Sequence, residues 1–114
     1  MPIHMIRQPA TEQQIREMLE IYVQFIKVAV DVDRGILAGG GRYHADGERL
    51  LLEDGSRQED IWGADWKPGS RTVEFNAIIN IRPRHGNRSP ELMSRSLRER
   101  VEAIVRRLLE VQQQ

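Results

Sequence analysis

The sequence predicts a small α+β domain, and three stretches carry the prediction. "FIKVAVDVD" (25–33) alternates apolar and polar residues with the period of a strand. "TVEFNAIINIR" (72–82) does the same over eleven positions. Residues 96–111 instead place Leu97, Val101, Ile104, Val105, Leu108 and Val111 at helical spacing. The 114 residues fit one domain spanning 1–114. A chain of this length buries roughly 65% of its unfolded surface without staples.

In chain order, "IHMI" (3–6) reads as an N-terminal strand. Thr11 then caps a helix in which Ile15, Met18, Leu19 and Tyr22 recur on one face. In "FIKVAVDVD" the residues Ile26, Val28, Val30 and Val32 face a core, while Lys27, Ala29, Asp31 and Asp33 face solvent. "DRG" turns the chain back into a short strand, "ILAGGG". "HADGERLLLEDGS" (44–56) reads as a short helix with Asp46 as its N-cap and Gly55 at C′. The alternative is a strand through Leu50–Leu52 turned by Asp54-Gly55. "DIWGADW" sets Trp62, Ala64 and Trp66 on one strand face, which reads as core, with a stacking platform as the rival. In "TVEFNAIINIR", Val73, Phe75, Ala77, Ile79 and Ile81 take one face, and Pro83 ends the strand. Ser96 with Glu99, or Ser94 one step earlier, caps the last helix. The sum is one sheet of about four to five mostly antiparallel strands. An N-terminal helix, a short middle helix and a long C-terminal helix cover it.

Composition excludes several chemistries. There is no cysteine, hence no disulfide, thiolate metal site or cysteine nucleophile. No apolar run approaches the roughly 20 residues of a membrane span, and the N-terminus does not read as a signal peptide. A cytoplasmic protein without membrane contact is the expectation. Net charge is zero, but residues 1–70 hold eight basic residues against twelve acidic, and residues 71–114 nine against five.

The stretches "KVAVDVDRGILAGGGRYHAD", "LLLEDGSRQEDIWGADW" and "INIRPRHGNRS", followed by a helix ending "IVRRLL", resemble a family of small bacterial conserved hypothetical proteins. That family is known only as a domain of unknown function. The resemblance covers nearly the whole chain and implies a compact bacterial domain. It carries no reaction, ligand or catalytic residue, so no catalytic residue is assigned.

The residues themselves offer one basic corner. "NIRPRHGNRS" (80–89) gathers Arg82, Arg84, His85 and Arg88 around Gly86, with Asn80 and Asn87 as amides. Guanidinium forks suit phosphate and carboxylate, glycine admits a ligand to the backbone, and a helix starts soon after. The leading expectation is an anion-binding regulatory or interaction module, leaning away from an enzyme, with no cofactor implied. Its partner would be a phosphate-bearing small molecule or a nucleic-acid backbone. The opposing reading lets the acidic segment 46–65, seven acids against Arg49 and Arg57, neutralise the turn inside the fold.

Two other constellations are weighed. His44, Asp46 and Glu48 alternate, and on an extended segment they would share a face and could ligate a divalent ion. With Asp31, Asp60 and Asp65 as further carboxylates, they define an alternative: a metal-dependent hydrolase of phosphate esters that borrows the same arginines. A third reading is a protein-interaction module or homodimer.

Overall fold

The structure, a computed structural model, describes residues 2–110. Five strands form one antiparallel sheet: β1 (His4–Ile6), β2 (Ile26–Asp31), β3 (Ile36–Gly39), β4 (Ile61–Lys67) and β5 (Thr72–Glu74). Their order across the sheet is β1-β3-β2-β4-β5. Three helices cover it: α1 (Glu12–Met18), α2 (His44–Glu53) and α3 (Arg95–Leu109). The expected α+β architecture is therefore the observed one, with a long C-terminal helix.

One face of the sheet carries the larger core. Ile26, Val28 and Val30 of β2, Leu37 of β3, and Trp62, Ala64 and Trp66 of β4 meet Val101, Val105, Leu108 and Leu109 of α3 and Ile15 and Met18 of α1. Both tryptophans are core, 3% and 2% exposed. Each aliphatic side chain so buried contributes about 1.5–3 kcal/mol. The stripe expected on α3 is the face that packs, and Val111 lies outside the described residues. Ser94, not Ser96, caps this helix, accepting a hydrogen bond from the Leu97 N–H.

The other face is covered as well, which corrects the reading of β2. This strand is third of five, and α2 lies across it. Ala29 and Asp31, expected in solvent, are fully buried. Ala29, Ile36, Ala38, Leu51 and Ile61 form this second, thinner core. Small residues let α2 sit close: a Cβ at Gly47 would stand 2.7 Å from the Ala38 carbonyl oxygen and 3.2 Å from the Ala29 Cβ. Gly47→Ala thus sets a helix-propensity gain of about 1 kcal/mol against an overpacking cost of about 1–3 kcal/mol. Because the nearest atom is backbone and cannot step aside, the clash wins. We expect a net loss of stability in urea denaturation, opposite to the usual effect of this substitution within a helix.

The helix starts also differ in detail. Thr11 caps α1 in a reciprocal pair with Gln14. That helix stops at Met18, however, and Tyr22 leaves its register to stack on Phe25 and donate to the Arg42 carbonyl. α2 begins two residues before Asp46, with Tyr43 at the N-cap position. Asp46 reaches back from the first turn to accept the Tyr43 N–H at 2.9 Å, a role open to an acid at the third helical position. Gly55 ends α2 as expected, at φ +102°, with the Ser56 N–H returning to the Leu51 carbonyl.

The largest departure is in residues 72–82. Only Thr72–Glu74 pairs with β4. The chain then bridges away at Asn76, opposite Glu91, and forms a 3-10 turn at Ile78–Asn80. Alternation alone had predicted eleven residues of strand. Ala77 and Ile79 pack on Gly63, where an added Cβ would meet the Ala77 Cβ at 2.5 Å. The uncovered half of the β4 edge is closed by side chains.

Candidate functional site

The basic turn is built from beneath. Asn80 is fully buried, and its amide pairs with the backbone of Gly63 as a neighbouring strand would. Its Oδ1 accepts the Gly63 N–H at 2.7 Å, and its Nδ2 donates to the Gly63 carbonyl at 3.0 Å and the Pro90 carbonyl at 3.1 Å. Arg82 serves the next stretch of the same edge. Its guanidinium donates to the carbonyls of Gln58 (2.6 Å), Ile79 (3.1 Å) and Ile61. It lies 4.3 Å from the centroid of the Trp62 ring and 3.7 Å from a Glu48 carboxylate oxygen. Burial pushes the Arg82 guanidinium below its ordinary value, and Glu48 opposes the shift.

Asn87 ties the far side of the loop. Its Nδ2 donates to the carbonyls of Asn80, Ser89 and Glu91 at 2.8–2.9 Å, and its Oδ1 accepts the Met93 N–H at 2.7 Å. The backbones of Arg82 and Asn87 bond to each other in both directions. Gly86, at φ +78°, closes the turn between them. Its left-handed backbone is reason enough for a glycine there.

Of the seven residues singled out, Asn80, Arg82 and Asn87 thus face inward and Gly86 shapes the turn. Arg84, His85 and Arg88 are exposed, and among the described residues none of them forms an ion pair. Among the described residues the acidic segment reaches only one of the three arginines, Arg82, through Glu48. Four of its other carboxylates are engaged elsewhere: Asp54 with Arg7 and Arg34, Glu59 with Arg57, Asp65 with His44, and Asp46 with the Tyr43 N–H. Arginine also serves the rest of the fold as a backbone cap. Arg100, Arg106 and Arg107 of α3 donate to the carbonyls of Val32, Arg71 and Gly35.

His44, Asp46 and Glu48 do not converge. On α2 successive side chains turn by about 100°, so Asp46 points away from the other two. His44 bonds Asp65, Asp46 holds the Tyr43 N–H, and Glu48 faces Arg82. Among the described residues no group of three or more His, Asp or Glu is placed to hold a metal ion. Asp31 uses one carboxylate oxygen to accept the N–H groups of Asp33 and Arg34, each at 2.9 Å, and turns the chain between β2 and β3. Asp65 shares the sheet face of Asp31 but sits toward the other end of β4, and it is with His44 rather than with Asp31 and Asp60. Sequence reasoning missed the His44–Asp65 pair, since the partners lie 21 residues apart and only the packing of α2 across the sheet brings them together.

A family model described as a protein of unknown function, DUF5674, matches residues 4–108. The chain belongs to the DUF5674 family. No curated protein and no solved structure matches it. In this DUF5674 chain, no helix among the described residues is long and apolar enough to cross a membrane.

Asp60, beside the Asp31 turn, gives this DUF5674 fold a pH dependence. Burial raises its carboxyl above the ordinary range, and the nearby Asp33 and Asp31 add to the rise. An acid with a raised folded value binds its proton more tightly in the folded state. Stability therefore falls as pH climbs from the unfolded value through the raised one. Asp60→Asn removes that penalty. We expect a higher Tm at neutral pH and no difference well below about pH 4, the ordinary aspartate value, in melts across pH.

Proposed function

We propose that the turn 82–88 is an anion-binding surface of an interaction module, with Arg84, His85 and Arg88 as the groups that meet the ligand. The observation that carries this reading is the division of labour within the turn. Asn80, Arg82 and Asn87 hold its backbone from below, while Arg84, His85 and Arg88 stand in solvent with no acid partner among the described residues. Unpaired guanidinium groups on a well-anchored turn lose little backbone entropy on binding, and they suit phosphate oxygens through paired N–H donors. The ligand class is a phosphate-bearing molecule: a nucleotide, a small phosphate ester or a nucleic-acid backbone.

The test is a fluorescence-anisotropy titration with a labelled single-stranded oligonucleotide over a salt series, with pyrophosphate as competitor. Arg84→Ser/Arg88→Ser is compared with the wild type and with Arg16→Ser on α1. Loss of two phosphate contacts should flatten the log–log salt slope by about 1.4. Arg16→Ser should bind as the wild type does. Competition by pyrophosphate assigns the site to small phosphates, and its absence to the polymer backbone. Affinity unchanged in the double variant overturns the reading.

A further inference from the structure

The outward face of the turn carries apolar side chains as well as charge. Arg82 and Asn87 are antiparallel partners, and both turn their side chains inward. Neighbours along an extended strand point the opposite way, so the next pair in that register, Ile81 and Arg88, points outward. Both are exposed, Ile81 at 42%. Met93 is tied to the same place, because its N–H donates to the Asn87 Oδ1 at 2.7 Å, and its side chain is 56% exposed. Ile78, whose carbonyl accepts the Ile81 N–H at 3.0 Å, is 74% exposed. None of these three apolar residues belongs to either core.

A single exposed apolar side chain is ordinary. Three of them beside unpaired cations, on a backbone held by Asn80 and Asn87, make a surface with two chemistries. The guanidinium forks of Arg84 and Arg88 take a carboxylate or a phosphate, and Ile78, Ile81 and Met93 take aliphatic side chains. The one acid between residues 76 and 94, Glu91, accepts from the Asn76 amide at 3.2 Å. None of the three exposed apolar side chains is aromatic. They offer no ring on which nucleic-acid bases stack, and no Trp or Tyr for the headgroup zone of a membrane. A two-fold contact between copies of the chain would set the same cations against each other. A peptide that is both acidic and apolar answers both chemistries.

We propose that this face docks an acidic peptide segment of a partner protein. An anionic side chain of the segment, carboxylate or phosphoester, lies on Arg84 and Arg88, and the aliphatic side chains beside it lie on Ile78, Ile81 and Met93. The inference rests on the anion-binding reading of the turn and adds the partner to it. The charges orient the segment and weaken with salt. The apolar contacts add affinity that follows the area they bury.

The test is fluorescence anisotropy of labelled peptides with the full chain: a phosphoserine flanked by leucines, a glutamate flanked by leucines, and a phosphoserine flanked by serines. The wild type is expected to bind the leucine phosphopeptide roughly tenfold more tightly than the serine one, the effect of a good apolar contact. Ile81→Ser/Met93→Ser should erase that preference and still bind the serine phosphopeptide, whereas a misfolded variant would lose both. Ile81→Leu/Met93→Leu should keep the preference. A glutamate peptide that binds as well supports a carboxylate partner, and binding of the phosphopeptide alone supports a phosphorylated one. Equal binding of the leucine and serine phosphopeptides by the wild type would overturn the proposal, as would a preference that persists in Ile81→Ser/Met93→Ser. The anion-binding reading then still stands if the single-stranded oligonucleotide binds through Arg84 and Arg88, and falls as well if it does not. Loss of oligonucleotide affinity in Ile81→Ser/Met93→Ser, with peptide binding unchanged, would assign the face to nucleic acid and overturn the proposal.

Discussion

Asn80→Ala is expected to cost about 3–5 kcal/mol, because it orphans two backbone groups at once and each costs about 1–3 kcal/mol when buried without a partner. The Gly63 N–H and C=O lose their only described side-chain partner, and the Pro90 C=O is left with the Ala77 N–H alone. No water can easily replace the amide, since Asn80 is fully buried and Ala77 is packed against Gly63. Asn80→Asp has nearly the same shape and separates packing from hydrogen bonding. It keeps an acceptor for the Gly63 N–H but sets a second oxygen against two carbonyls, so it should be about as damaging as alanine. Urea denaturation checks both, with the slope unchanged if the substitutions act on the folded state alone. An aspartate variant as stable as the wild type would mean that shape, not the amide, is what the site requires.

Arg82→Met is expected to cost about 3 kcal/mol, the lower part of the range for breaking a buried ion pair. Methionine retains apolar contact with Trp62 but leaves the carbonyls of Gln58, Ile61 and Ile79 without this donor and Glu48 without its cation. Glu48→Gln in the Arg82→Met background removes the stranded charge and should recover part of the loss. Recovery in that background, absent from Glu48→Gln alone, is the coupling that a double-mutant cycle measures. Arg82→Lys should rescue poorly, because a point charge on a flexible stem cannot reach three carbonyls with the geometry of a guanidinium.

What could be read from the residues follows a physical division. The stripe Val101, Val105 and Leu108 and the pair Trp62 and Trp66 were legible because local periodicity and burial agree there. β2 was half legible. Its Ile26–Val28–Val30 face was evident, but Ala29 and Asp31 read as solvent-facing because an alanine and an aspartate do not announce a helix laid over them. The close fit of Gly47 against Ala38 lets that second layer form, and close fit has no local signature. Residues 76–82 misled for a different reason. They alternate like a strand, yet the β4 edge they would have paired with is served by the side chains of Asn80 and Arg82. A side chain that substitutes for a strand looks, in sequence, like one residue of that strand.

The candidate site was legible by composition and not by role. The cluster of Arg82, Arg84, His85 and Arg88 was visible, but nothing in the sequence separated the arginine that turns inward from the two that do not. Glu48 is 34 positions from Arg82 in sequence and the Trp62 ring 20 positions away, so the fold alone makes the distinction. His44 and Asp65 were both noted, each in the wrong company.

The most direct test of this division is a pair of melts and a pair of titrations on the same two proteins, Arg82→Met and Arg84→Ser/Arg88→Ser. The division predicts that Arg82→Met lowers Tm by on the order of 10 °C or more and, below its melting point, still binds the oligonucleotide. Arg84→Ser/Arg88→Ser should melt with the wild type and lose binding. A double variant that melts early, or one that binds as tightly as the wild type, would contradict it.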